Sequence, residues 1–130
     1  MEEDRRPYVF IAMPMAGDKP EYDDVVDSIK AAADSCDFRA ERVDEIQTTE
    51  RITDTLLSCI RRADFVVADL TDARPNVFYE AGFAYGIGKT PIYIAAANTK
   101  LEFDLKDYPV IFFKSQRDLR EKLASKLRAV

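Results

Sequence analysis

Histidine is absent from this 130-residue chain, so any acid–base chemistry must use carboxylates, tyrosine, lysine or cysteine. Cysteine is scarce as well: Cys36 and Cys59 are the only two, and no CxxC spacing joins them. We interpret both as free buried thiols in a reducing compartment rather than as a disulfide or a redox pair.

Glycine and positive charge are also in short supply. The chain has four glycines and no GxGxxG or Walker A pattern, so tight pyrophosphate binding is not indicated. Lysine and arginine number 19 against 24 acidic residues, which gives a net charge of −5 and argues against a general nucleic-acid binder. Small anionic ligands remain open, because one arginine or helix N-terminus can bind a single phosphate.

Long apolar runs are missing too. No stretch approaches the ~18 apolar residues of a membrane helix, and the N-terminal MEEDRRPY lacks the apolar region of a signal peptide. We therefore expect no membrane association and a cytoplasmic location. The length fits one domain over residues 1–130, large enough to fold without a metal or a disulfide, and we expect no cofactor.

Short apolar runs alternate along the chain with stretches of helical spacing. The predicted strands are Tyr8–Met13, Phe38–Val43, Phe65–Leu70, Pro91–Ala96 and Val110–Phe113. The predicted helices are Pro20–Cys36 with Asp18 as its cap, a second capped by Thr48 or Thr49, a third running from a cap at Asn76 to about Gly88, and Gln116–Arg128. This alternation predicts a parallel sheet with helices on both faces.

We therefore predict a flavodoxin-like three-layer α/β/α fold whose five-stranded parallel sheet has the order 2-1-3-4-5. In that order ligands bind beyond the carboxyl ends of strands one and three. The segments MPMAGDKP and DLTDARPN lie at those two ends. The fold prediction alone therefore locates a candidate site.

One acidic residue stands out in the third predicted helix. NVFYEAGFAYGIG is apolar on nearly every side, which predicts a buried helix, and Glu80 is its only strongly acidic or basic residue. Glu80 is either a structural partner of Arg42 or Arg74, or a carboxylate that attacks or stabilises C1′ of a ribose. We favour the second interpretation, because a purely structural buried ion pair can often be replaced by apolar residues.

Glycosidic chemistry needs a second group that protonates the departing base or activates water. Asp69 is the best candidate, because it ends the predicted central strand and could serve either the proton or a sugar hydroxyl. Asp44 closes strand two and could reach a sugar hydroxyl. Asp64 lies at the opposite end of the third strand, and Asp72 is typical of a turn.

Apolar residues after strand one complete that side of the predicted crevice. Met13, Pro14 and Met15 could form a platform for a base, and Gly17 permits close backbone approach.

Polar residues after strand three are predicted to contact the ligand from the other side. Arg74 and Lys19 are the nearest cations and could bind a phosphate or carboxylate, although surface charge is the commoner role. Asn76 and the Tyr79 hydroxyl are the remaining predicted substrate contacts.

The segments IAMPM, RVDE and ADLTDARPNVFYEAGFAYGIGK together resemble the nucleoside 2-deoxyribosyltransferase-like superfamily, over residues 8 to 113. The resemblance implies that Glu80 is the nucleophile on the anomeric carbon and that Asp69 contacts the sugar or base. It implies a nucleoside, nucleotide or NAD-like ligand, because the superfamily includes base-exchanging transferases and nucleoside monophosphate hydrolases and is similar in fold to TIR-type domains that cleave NAD.

The resemblance also implies a homo-oligomer, since related sites are closed by neighbouring subunits. Base-exchanging members use a C-terminal acidic or amide residue that the ending LREKLASKLRAV does not match. Our leading hypothesis is therefore an N-glycosidase. The rivals are a sensor that binds a nucleotide without cleaving it and a TIR-like defence domain that consumes NAD.

Overall fold

The computed structural model describes residues 4–14, 19–43, 46, 49, 51–101 and 108–130. Strands and helices alternate through this part of the chain. In order they are β1 Tyr8–Ala12, α1 Pro20–Ser35, β2 Arg39–Arg42, α2 Ile52–Arg62, β3 Phe65–Asp69, α3 Pro75–Gly86, β4 Ile92–Ala96, β5 Val110–Phe113 and α4 Gln116–Ala129. Every predicted strand and helix is present.

The strands form one parallel sheet with the order β2-β1-β3-β4-β5, which confirms the predicted 2-1-3-4-5 topology. β3 is central and β2 lies at an edge, as their apolar and polar compositions indicated. Ala12 pairs with Ala68, and Asp69 with Ile94, so β1, β3 and β4 end close together at one edge. We call this the carboxyl edge of the sheet.

The helices pack in two layers, which confirms the three-layer α/β/α prediction. α1 and α4 contact each other over one face of the sheet, and α2 and α3 over the other. Successive side chains of a strand point to opposite faces. In β3, Val67 therefore belongs to the core under α1 and α4, whereas Val66 and Ala68 belong to the core under α2 and α3.

The start of α3 differs from its prediction. Arg74 is the N-cap and Pro75 the first helical residue, so the predicted cap at Asn76 is wrong. Proline suits this position because its fixed φ is helical and its missing N–H would have no partner there. The Asn76 side chain instead donates a hydrogen bond to the backbone carbonyl of Met13, over 3.2 Å.

The start of α2 also differs. The helix begins at Ile52 with Arg51 as N-cap, and no side chain accepts a capping hydrogen bond, so a threonine cap is wrong. Lys19 is the N-cap of α1, and the cap predicted there, Asp18, lies outside the described residues. Thr48 lies outside them as well.

The prediction that the apolar α3 is buried on all sides is wrong. Val77, Ala81 and Ala84 face the core, but Tyr79 and Tyr85 are 56% and 51% exposed. A helix in the outer layer of a three-layer fold contacts the sheet along one stripe only. The opposite stripe of α3 is therefore apolar and exposed.

The two cysteines are free, as predicted, but only Cys59 is buried, whereas Cys36 is partly exposed. Cys36 contacts the core under α1 and α4, and Cys59 lies in the core under α2 and α3. The sheet separates them, so no disulfide between them is compatible with this fold. Among the helices described here, none has both the length and the apolar character needed to span a bilayer.

Candidate active site

A cleft of about 540 Å³ opens at the carboxyl edge, where the topology predicts a ligand site. That volume falls in the range of small-molecule sites. α1 and the end of β3 form its walls, and the ends of β4 and β5 with the start of α4 close it. The described residues that line it are Lys19, Glu21, Tyr22, Val25, Asp69, Thr71, Asp72, Ala96, Phe113 and Gln116.

Asp69 is the buried carboxyl group of this cleft, with 4% of its surface exposed. Its Oδ1 accepts two hydrogen bonds from Thr71, at 3.0 Å from the backbone N–H and 2.6 Å from the hydroxyl. Burial raises the pKa of Asp69, the Thr71 donors oppose that rise, and the nearby charge of Asp72 adds to it. A carboxyl group in this setting holds a proton to higher pH than a solvated aspartate.

Asp72 organises the mouth of the cleft. Its Oδ2 accepts a hydrogen bond of 2.6 Å from the Tyr22 hydroxyl and one of 3.2 Å from Lys19 Nζ. These donors lower the pKa of Asp72, the tyrosine contributing most. Burial and the contact with Asp72 raise the pKa of Tyr22 to about 12. Near neutral pH the mouth therefore holds an ionised Asp72 beside a neutral Tyr22.

The two predicted cations meet at this mouth. Lys19 forms the salt bridge with Asp72, and the positive charge of Arg74 lowers the pKa of both Asp72 and Tyr22. Lys19 precedes α1 and Arg74 precedes α3, so two separate loops bring them together. Both cations therefore act on the same carboxylate, Asp72.

Glu80 lies on the other side of the sheet from Asp69. It is 5% exposed, in the second turn of α3, on the stripe that also carries Val77 and Ala81. Asp69 lies two residues after Val67 in β3, so both side chains point to the face covered by α1 and α4. Glu80 is not among the described residues that line the cleft. The two predicted catalytic carboxyl groups thus approach the carboxyl edge from opposite faces.

The remaining predicted substrate contacts do not lie together in the cleft. Met13 is 2% exposed and packs in the core under α1 and α4, and Pro14 is buried. Met13 contributes a carbonyl oxygen that fixes Asn76. Tyr79 points outward from α3. Met15, Gly17 and Asp44 lie outside the described residues.

Sequence reasoning missed Thr71, and it also missed Tyr22. The Tyr22 hydroxyl bonds to a residue 50 positions away, which no local pattern indicates. Thr71 directly follows the strand-end pair Asp69 and Leu70, and a hydroxyl two residues after a carboxylate is a recognisable local signal.

A second cavity, of about 470 Å³, opens at the opposite edge of the sheet. Its lining is mostly apolar and includes the start of β4 and the residues before β5. Asp64 lies there, with Oδ2 accepting a hydrogen bond of 2.8 Å from the Tyr8 backbone N–H. That bond gives Asp64 a structural role far from the candidate site, as predicted from its position in the chain.

No cluster of three or more potential metal ligands occurs within the described ranges. The carboxylates of the cleft are held by Thr71, Tyr22 and Lys19. These donors bond to one oxygen of Asp69 and to one oxygen of Asp72.

Comparison with known proteins supports this fold at the level of structure. No family model matches the chain, and neither does any curated protein. A CMP N-glycosidase from Clostridium botulinum is similar in structure, with a TM-score of 0.68 and 18% identity over 89% of this chain and 97% of that one.

Two 2-deoxyribosyltransferases are similar to the same degree. The one from Leishmania mexicana has a TM-score of 0.65 and 14% identity, over 90% of this chain and 97% of that one. The one from the psychrotolerant Bacillus psychrosaccharolyticus has a TM-score of 0.69 and 16% identity, over 89% and 95%. The chain therefore has the nucleoside 2-deoxyribosyltransferase-like fold over nearly its whole length.

Proposed function

We propose that this protein cleaves the N-glycosidic bond of a nucleoside, a nucleotide or an NAD-like ligand, with Glu80 as nucleophile and Asp69 as its second carboxyl group. The observation that carries the proposal is the buried carboxyl of Asp69 in a ligand-sized cleft at the carboxyl edge. Solved proteins of the same fold include an N-glycosidase and two 2-deoxyribosyltransferases, which supports this class of chemistry.

The reaction divides into two balanced steps. A carboxylate oxygen of Glu80 attacks C1′, the C1′–N bond breaks, and its electron pair moves to the base nitrogen. The base of a nucleoside or nucleotide then takes a proton, whereas the cationic nicotinamide of an NAD-like ligand leaves as a neutral base without one. Water then attacks C1′ of the glycosyl ester, gives up a proton, and releases the Glu80 carboxylate. For a nucleoside or nucleotide, the sum is one ligand and one water converted to free base and the sugar or sugar phosphate. For an NAD-like ligand the sum also releases one proton.

The cleft suits a ligand with an apolar ring and an anionic end. Val25, Ala96 and Phe113 provide apolar surface inside it. Lys19 and Arg74 bring positive charge to the mouth, where a phosphate or carboxylate would be stabilised. A nucleotide, with an apolar base and an anionic phosphate, fits this cleft better than a neutral nucleoside.

A chromatographic screen for free base tests the proposal. Nucleosides, nucleoside monophosphates and NAD are incubated with the wild type, with Glu80→Gln and with Glu121→Gln. Glu121 is an exposed residue of α4, so its variant controls for the chemical change alone. We expect base release by the wild type and the control and none by Glu80→Gln. Full base release by Glu80→Gln would overturn the assignment of Glu80 as the nucleophile.

Binding without cleavage is the second candidate function. One observation favours it: Glu80 does not line the described part of the cleft. A thermal shift with a nucleotide, combined with no base release over hours, would select this sensor function over the glycosidase.

We also propose that the exposed stripe of α3 mediates contact between copies of this chain. It carries Tyr79, Tyr85 and Ile87, all exposed, and the only charged residue of α3, Glu80, faces inward. An uncharged apolar face is where two chains of net charge −5 meet with least repulsion. The free cysteines fit a cytoplasmic location.

A further inference from the structure

We infer that Thr71 is a positioning residue that fixes the Asp69 carboxyl group so that Oδ2, rather than Oδ1, exchanges a proton with the substrate. The inference rests on the proposed function and assigns one task to Asp69, whose sequence position left proton transfer and sugar binding equally open.

The hydrogen bonds of Thr71 converge on one oxygen. Its backbone N–H and its hydroxyl both donate to Asp69 Oδ1, over 3.0 and 2.6 Å. The hydroxyl also accepts a hydrogen bond of 3.0 Å from the backbone N–H of Ala96, at the end of β4. Because that N–H occupies the acceptor side, the hydroxyl proton is directed at Asp69.

Oδ2 of Asp69 is the oxygen that we assign to proton transfer. An oxygen that accepts two hydrogen bonds is the poorer place for a proton, so the proton of a neutral Asp69 resides on Oδ2. Oδ2 accepts no hydrogen bond from any residue in the described part of the chain, and Asp69 lines the cleft. The carboxyl therefore presents its transferable proton to the ligand space.

Within the described residues, the ionisable groups around Asp69 come from the loop after β3 and from α1 with its cap. From the loop after β3 come Asp72 and Arg74, and from α1 and its cap come Lys19, Glu21 and Tyr22. α4 contributes the uncharged Gln116. Asp72 is held ionised by Tyr22 and Lys19, so it acts as a constant charge while Asp69 titrates.

In the first chemical step, Oδ2–H donates its proton to the base nitrogen as that nitrogen receives the electron pair of the breaking C1′–N bond. In the second step, ionised Oδ2 takes the proton that the attacking water loses. The carboxyl returns to its starting form, and Oδ1 stays bonded to Thr71 throughout.

Two substitutions at Thr71 test the assignment. Thr71→Val keeps the shape and removes the hydroxyl, whereas Thr71→Ser keeps the hydroxyl. Base release from the substrate found in the screen is measured against pH. The Thr71 hydroxyl lowers the pKa of Asp69, so its removal in Thr71→Val raises that pKa. The pH above which the rate of base release falls should therefore be higher in Thr71→Val than in the wild type. We expect kcat to fall about tenfold with KM little changed.

Thr71→Ser is expected to restore both the pH profile and kcat, which a role in packing alone would not produce. Thermal unfolding of both variants verifies that they are folded. An unchanged profile and rate in Thr71→Val, or equal losses in the valine and serine variants, would overturn the inference. If the wild type releases no base, the proposed function itself fails. If the wild type releases base but the Thr71 variants do not behave as described, only the assignment of Thr71 fails.

Discussion

Individual side chains of the candidate site carry electrostatic costs that the fold must offset. Asp69 is almost fully buried, and its raised pKa means that the folded state favours the neutral form. Stability from this group is fully present below the ordinary pKa of 3.8 and is lost as pH rises through the higher folded value. Retaining such a group without a chemical use would be unfavourable.

Asp69→Asn is therefore expected to stabilise the protein while abolishing base release. The amide oxygen can still accept from Thr71, and no charge is buried. The gain in the free energy of unfolding is expected to be about 1 kcal/mol near neutral pH and to vanish at acid pH. Denaturant unfolding at several pH values measures it. A variant that is less stable at neutral pH would contradict this account of Asp69.

Tyr22→Phe is expected to lower the free energy of unfolding, whereas Asp69→Asn raises it. It removes the 2.6 Å hydrogen bond to Asp72, so the pKa of Asp72 rises toward 3.8. Because the folded pKa is depressed, the lost stability is present above 3.8 and disappears as pH falls through the folded value. We expect a loss of about 1 kcal/mol at neutral pH, measured by denaturant unfolding. A loss that persists undiminished at acid pH would point to packing instead.

For single residues, the sequence predicts location best where position in the fold is decisive. Asp69 could be predicted because it ends a central strand, and the structure puts it in the cleft. Thr71 was missed although its position two residues after Asp69 is a local signal. Tyr22 could not be predicted, because its role depends on the direction of its hydroxyl and on a partner 50 positions away.

Among the helices and strands, prediction depended on periodicity. β5 has the bounds that the sequence predicted, since VIFF is short, apolar and flanked by breaks. α3 was misjudged because its apolar residues surround the whole helix, whereas the fold buries one stripe. Its exposed stripe is the surface that we propose contacts a second copy of the chain.

Gly82→Ala distinguishes the stability of the single chain from its association with a second copy. A Cβ at Gly82 would meet nothing within 4 Å, so alanine should stabilise the isolated chain by about 1 kcal/mol through helix propensity. If the stripe contacts a second copy, the same methyl group should weaken association. Thermal unfolding and sedimentation measure the two effects. Gly88→Ala is the contrast: φ is +89° there, so alanine should destabilise. Gly82→Ala with unchanged association would contradict the proposed contact.

Across the whole molecule, topology determines which residues can act together. The order β2-β1-β3-β4-β5 brings the segments after β1 and β3 to one edge, and the caps of α1 and α3 add their cations to that edge. The alternation of strands and helices was sufficient to predict this arrangement. The approach of Asp69 and Glu80 to this edge from opposite faces of the sheet was not predictable, because it depends on strand pleat and helix rotation together.

The most direct test of the central claim is the rate of base release by Glu80→Gln relative to the wild type, on the best substrate of the screen, in a single turnover. Glutamine fills the same space but cannot form the glycosyl ester. We predict a fall of about a thousandfold or more, with ligand binding retained. A fall of less than about tenfold would contradict a nucleophilic Glu80 and leave Asp69 as the principal carboxyl group of the site.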